Sequence, residues 1–218
     1  MKRCVLNRAF AVFALGAAAA LPAQATIVDF EELQPLLFAG TSISSRGYDF
    51  ASSSNGFSGV DSILGFAPNG PANSTGQFLF GLDANSLTMT QTGGGAFNLV
   101  GFDFSFVAPF GTPGVGFSAG MLHLVASASG GGVIIDDIDF GVSDANGLWN
   151  FSGYSTNALS SVTSVTFSAC VYVGNGCVFA NNLAQFAVDN LRVPEPASAA
   201  LALAALGLLA ATRRRQSL

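Results

Sequence analysis

The sequence predicts an all-β domain, an antiparallel β-sandwich, set between two short apolar terminal segments. Three observations carry that reading. Period-two alternation recurs: Phe102-Asp103-Phe104-Ser105-Phe106 puts three phenylalanines on one strand face, and Val165, Phe167, Ala169, Val171 and Val173 alternate with Thr166, Ser168, Cys170 and Tyr172. Such alternation belongs to strands with one buried and one wet face. No long amphipathic helical pattern interrupts residues 26–193, whereas Gly-, Ser- and Asn-rich turn signals divide them repeatedly. The chain also holds 20 phenylalanines in 218 residues, a residue type that suits a half-buried pleated surface.

Taken in order, strands are expected at 26–33, 47–51, 77–82, 86–92, 97–107, 121–128, 133–141, 162–173 and 185–193. About nine strands joined by polar turns argue for a jelly-roll-like sandwich. No fixed repeat supports a β-helix. The glycine triplets 93–95 and 130–132, and the run 111–116 with Pro113, are turns; lacking a Lys and a following helix, none is a phosphate loop. Residues 52–76 form the longest weakly patterned stretch, either a binding loop or an idle one.

Both ends of the chain are organised differently from the middle. Lys2, Arg3 and Arg8 precede an apolar run over 9–21, and Ala23-Gln24-Ala25 supplies small residues at positions Ala23 and Ala25 for signal peptidase. Charge, apolar core and small-residue exit in that order mark residues 1–25 as a cleaved secretory signal helix. An N-terminal anchor is the alternative, and the short core disfavours it. At the other end, residues 194–218 begin with Pro-Glu-Pro, continue through a 16-residue apolar segment at 197–212 and close on Arg213-Arg214-Arg215. As a single transmembrane helix that segment spans roughly 24 Å, marginal against a hydrocarbon core of roughly 30 Å. Three arginines after it predict a cytoplasmic C-terminus, which leaves the main domain across the inner membrane.

The order Val193-Pro194-Glu195-Pro196, short apolar helix and basic cluster resembles the PEP-CTERM sorting signal of Gram-negative bacteria. The resemblance covers about the last 26 residues. It implies recognition by an exosortase, cutting near Pro-Glu-Pro, a transient membrane stage, and a cell that makes exopolysaccharide. A plain C-terminal anchor is the alternative.

Between the ends lie residues 26–193, one domain long enough for a proper core. It holds Arg46 and Arg192, no lysine, and twelve acidic residues, a net charge of −10. That balance excludes nucleic acid as a partner, because phosphate binding needs a basic surface, and it disfavours anionic lipid. Neutral sugars and divalent cations suit it better. Cys4 leaves with the signal, so Cys170 and Cys177 remain, separated by a Gly174-Asn175-Gly176 turn. An exported domain with two cysteines on the arms of a hairpin predicts a disulfide. A metal role lacks a second Cys pair or a nearby His.

Catalytic chemistry finds little support. His123 is the single histidine, placed in a strand pattern; no G-x-S-x-G elbow occurs, and the domain has no lysine for covalent chemistry. A His-rich zinc site cannot be assembled. The acids Asp136, Asp137 and Asp139 alternate across one strand, with Asp137 and Asp139 on the same face. They read as a wet surface or as the carboxylate pair of a glycosidase; the expectation is that the protein is not an enzyme.

The domain opens with Val28-Asp29-Phe30-Glu31-Glu32 and closes with Phe186-Ala187-Val188-Asp189-Asn190-Leu191. This pairing resembles carbohydrate-binding jelly rolls, in which the terminal strands lie side by side. By that resemblance acidic groups from both strands hold a structural Ca²⁺, with Glu31 and Asp189 as ligands and Glu32 and Asn190 behind them; a solvent-facing acidic pair is the alternative. For glycan stacking the aromatics are Trp149, Tyr48, Tyr154 and Tyr172, with Trp149 foremost because it lies near a turn; a buried Trp is the competing assignment. Three functions result: an exosortase-sorted surface or matrix protein associated with exopolysaccharide, a secreted glycan hydrolase with a carboxylate pair, and a structural coat without ligand.

Overall fold

The computed structural model describes residues 25–62, 70–73, 76–108, 118–179 and 182–194. The expected signal helix with Ala23, the transmembrane helix, Glu195, Pro196, the Arg213–Arg215 cluster and the glycine run 111–116 lie outside them. Residues Thr26–Val193 make one compact unit. Among the described residues every regular element is a strand: β1 (Ala25–Val28), β2 (Leu36–Phe38), β3 (Ser42–Ser45), β4 (Tyr48–Ser52), β5 (Phe57–Ser62), β6 (Gln77–Leu82), β7 (Ser86–Gln91), β8 (Gly101–Phe106), β9 (Gly120–Ala128), β10 (Val133–Asp139), β11 (Ser152–Ser155), β12 (Val162–Val173), β13 (Gly176–Val178) and β14 (Phe186–Pro194).

They form two antiparallel sheets. The first runs β11-β8-β14-β6-β5-β2, with β1 beside β14; the second runs β10-β9-β12-β7-β4-β3, with β13 beside β12. The alternation read from sequence points into the space between them. Phe102, Phe104 and Phe106 of β8 share one core with Val165, Phe167, Ala169 and Val171 of β12. The Phe102 and Phe167 rings meet edge-on at 5.4 Å, and Phe30 meets Phe50 at 5.2 Å. Each such ring contributes about 1.5–3 kcal/mol by leaving water. Val173 departs from the series and is exposed, because the pairing of β12 with β9 ends at Val171 and Val173 lies beyond it.

The first sheet is covered on its outer face too. Phe78, Phe80, Val107 and Ala187 form a second buried cluster with Phe151 and Leu82 against it. β6 is therefore buried on both faces, which explains its unbroken Phe78-Leu79-Phe80 run. The expectation of a weakly structured 52–76 needs correction, since β5 lies inside it and pairs with both β6 and β2. Gly59 hides the strand from a pattern search. A Cβ there would fall 2.4 Å from the Phe80 ring and 2.5 Å from the Leu36 carbonyl, so the sheet needs glycine where an apolar side chain would have signalled a strand. The disulfide forms as expected: Cys170 is bonded to Cys177, Tyr172 pairs with Cys177 in the β12–β13 ladder, and Gly174 turns the hairpin at φ 61°.

Candidate functional site

Two regions gather the domain's polar chemistry. The first is the outer face of the first sheet where its terminal strands meet. Asp189 of β14 stands directly opposite Asp103 of β8, an arrangement that like charges disfavour. A bulge between Asp189 and Arg192, with Asn190 in the left-handed region at φ 50°, returns the Asn190 side chain to the pair. Its Nδ2 donates to Asp103 Oδ2 at 3.0 Å and Asp189 Oδ2 at 3.3 Å, and its backbone N–H donates to Asp189 Oδ1 at 2.7 Å. Arg192 lies 3.6 Å from Asp103 and donates to the Tyr154 carbonyl at 2.7 Å. Gly101 makes room for that guanidinium, since a Cβ there would lie 2.4 Å from Nη2.

β1 approaches the same place. Phe30 leaves the strand at φ 57°, a rare conformation for a bulky residue, and Glu31 then accepts the Gln77 N–H at 2.8 Å. Burial pushes the Asp189 carboxyl up to about 7; repulsion from Asp103, Glu31 and Asp29 adds to this, and the Asn190 N–H opposes it. On β6, which adjoins β14, Gln77 Oε1 is a buried oxygen with no hydrogen-bond partner among the described residues. Glu31 and Asp189 carry hard oxygens of the kind Ca²⁺ takes, and their charges are close enough to act on one another. Among the described residues no three Asp, Glu, His or Cys side chains group closely enough to hold a metal by themselves, so an ion here would rely on amide or backbone oxygens as well.

Two expected site residues sit elsewhere. The turn closed by Leu33 N–H on the Phe30 carbonyl at 3.0 Å sends Glu32 away from Glu31. Glu32 pairs with Arg46 at 3.3 Å and accepts from Ser45 at 2.6 Å, and Asp29 meets Arg46 at 3.3 Å. Trp149 is 3% exposed, packs on Phe106 at 4.9 Å and donates its indole N–H to the Gly141 carbonyl at 3.2 Å. Its ring is core and offers no stacking surface. Tyr48 is buried as well. Tyr154, packed on Phe102, hydrogen-bonds Asp136; burial and that bond push its hydroxyl up.

The second region is the outer face of the second sheet. Asp137 and Asp139 of β10 point outward, as their spacing predicts. Asp137 meets His123 Nδ1 of β9 at 2.5 Å, and the Phe179 ring lies edge-on to the imidazole at 4.9 Å. Asp139 accepts from Tyr172 at 3.0 Å, from Ser118 at 2.8 Å and from the Gly141 N–H at 2.7 Å. Burial first, then the bond to Asp139, push the Tyr172 hydroxyl up. Tyr172 and Phe179 nevertheless remain 43% and 44% exposed. Towards β7 the face turns to hydroxyls, with Thr88 and Thr166 in contact at 2.9 Å. Phe179 escapes sequence reasoning because Phe reads as core. Its position just beyond the Cys177 hairpin is the available signal.

A family model for the PEP-CTERM protein-sorting motif matches residues 192–216, and Val193 and Pro194 are the last residues of β14. Among solved structures the chain is similar to a DUF4465 family protein from Bacteroides caccae, at 11% identity and a TM-score of 0.53, covering 79% of this chain and 100% of that one. That likeness concerns the fold. Weaker likeness extends to the N-terminal CBM22-1–CBM22-2 tandem domain of Paenibacillus barcinonensis Xyn10C, at 12% identity and a TM-score of 0.37, covering 80% of this chain and 46% of that one. An exo-β-1,3-galactanase from Phanerochaete chrysosporium aligns at 16% identity and a TM-score of 0.28, covering 72% and 29%. No curated protein matches the chain in sequence.

Proposed function

We propose that the protein is exported, handed to an exosortase, and displayed as a non-catalytic surface or matrix protein that associates with exopolysaccharide through the outer face of its second sheet. The sorting motif over 192–216 is the observation that carries this reading, because such a motif implies exosortase processing. Its first residues end β14, so the sandwich is the cargo with no spacer before the motif. Exposed Tyr172 and Phe179 beside carboxylates and hydroxyls supply stacking faces and hydrogen-bond groups for sugars.

The hydrolase reading is weaker. The opposed Asp103 and Asp189 are the carboxylate pair such a reading would use, yet the Asn190 amide bonds both carboxylates. A structural Ca²⁺ belongs to the proposal at the β1–β14 junction, with Glu31 and Asp189 as its side-chain ligands. When bound, the ion would neutralise the carboxylates that now repel one another.

Whole protein produced in an exosortase-bearing host tests the reading. Mass spectrometry is expected to find a mature chain that stops short of Leu218, and electrophoresis through gels containing the host's exopolysaccharide is expected to retard it. A surface pool still ending at Leu218 would overturn the sorting step. Unretarded migration would leave the coat function alone standing.

A further inference from the structure

Resting on that glycan-binding reading, we infer that the polysaccharide taken by the β9–β10–β12 face carries protonated amino sugars and that uronate-rich, sulfated or phosphorylated polymers are rejected. The domain has no lysine and only two arginines. Both are committed away from this face: Arg46 to Asp29 and Glu32, Arg192 to Asp103 and the Tyr154 carbonyl. Among the described residues His123 is the remaining basic side chain, and Asp137 already faces it at 2.5 Å. An anionic polymer therefore finds no free cation on this face and approaches a domain of net charge −10.

The exposed groups suit the opposite charge. The Asp137 side chain is 45% exposed, and Asp139 is exposed with its carboxylate tied to Tyr172. That bond holds the Tyr172 ring next to the negative charge, and Phe179 is held by the His123 edge contact. An ammonium placed between an aromatic face and a carboxylate gains cation–π and ion-pair attraction together. The sugar ring gains stacking on the same two aromatics.

Three probes in affinity electrophoresis of the whole mature protein test the inference: partially deacetylated chitosan, a neutral β-glucan and alginate. Retardation by chitosan, about tenfold weaker in Asp137→Asn/Asp139→Asn and in Tyr172→Ala/Phe179→Ala, is the expected result. The equally neutralising control Asp61→Asn/Asp83→Asn should keep wild-type retardation. Equal loss in that control would reduce the effect to net charge and sink the inference. Preference for alginate, or for β-glucan over chitosan, would overturn it while keeping glycan binding. Retardation by none of the three, nor by the native exopolysaccharide, would overturn both.

Discussion

The outer faces of the two sheets both carry aspartates, and they treat them in opposite ways. On the first sheet, Phe78, Phe80, Val107 and Ala187 are buried with Phe151 and Leu82 packed against them, and Asp189 lies partly out of water, pushed up to about 7. On the second, Asp137 and Asp139 stand in the open with His123 and Tyr172 as partners. Desolvation disfavours the charged form of a carboxyl and raises its pKa. The same residue type thus serves as a titrating structural group on one face and as a presented charge on the other. A covered face builds stability; an open face is free to meet a partner.

Truncations on the two faces should separate most. Phe80→Ala removes a fully buried ring and is expected to cost about 3–5 kcal/mol, read as a fall in melting temperature of roughly 2–4 °C per kcal/mol. Comparable losses from Phe179→Ala would erase the contrast. Next comes the hairpin on the open side. Replacing Cys170 and Cys177, seven residues apart, by Ala is expected to lose about 2–3 kcal/mol in the chain-entropy model, measured by denaturant unfolding.

Asp189 is read through the pH dependence of stability. Its folded pKa of about 7 stands above the ordinary carboxyl value of 3.8, so between those pH values the folded state binds a proton that the unfolded state has released. The stabilisation is therefore full below about pH 4, declines as pH rises, and is lost above about 7. Asp189→Asn should flatten that part of the stability–pH curve. Millimolar Ca²⁺ at pH 8 should raise the wild-type melting temperature and leave Asp189→Asn unmoved; no shift in wild type would remove calcium from the proposal. The smallest stability effect belongs to Phe179→Ala. On a half-exposed ring it is expected to stay within about 0.5 kcal/mol while weakening retention in polysaccharide gels.

Much of the architecture was legible. β6 and β12 match their expected bounds, and β4, β7, β8, β9, β10 and β14 lie within a few residues of theirs, because each alternates strongly or holds a long apolar run. β2, β3, β11 and β13 were not, being three or four residues long, too short for a period to declare itself. The site was less legible. Asp189 and Glu31 were singled out and do feel one another's charge, but Glu32, placed behind them, is separated by a single turn and pairs with Arg46. Trp149 was offered as a platform because it lies near a turn. Turn proximity in sequence does not measure exposure, and the Phe106 and Gly141 contacts bury it.

By itself the sequence determined what local chemistry encodes: strand period, the apolar face of β8 and β12, a hairpin short enough to bring two cysteines together, a lysine-free acidic domain, and a terminal sorting motif. Tertiary structure decided what depends on neighbours far along the chain. It set Asp103 against Asp189 across 86 residues, placed the Asn190 amide between them, covered one sheet and left the other bare, and turned Phe179 outward beside His123. Burial and charge repulsion are properties of assembled surroundings, so the same aspartate letter acquires a different meaning on each face.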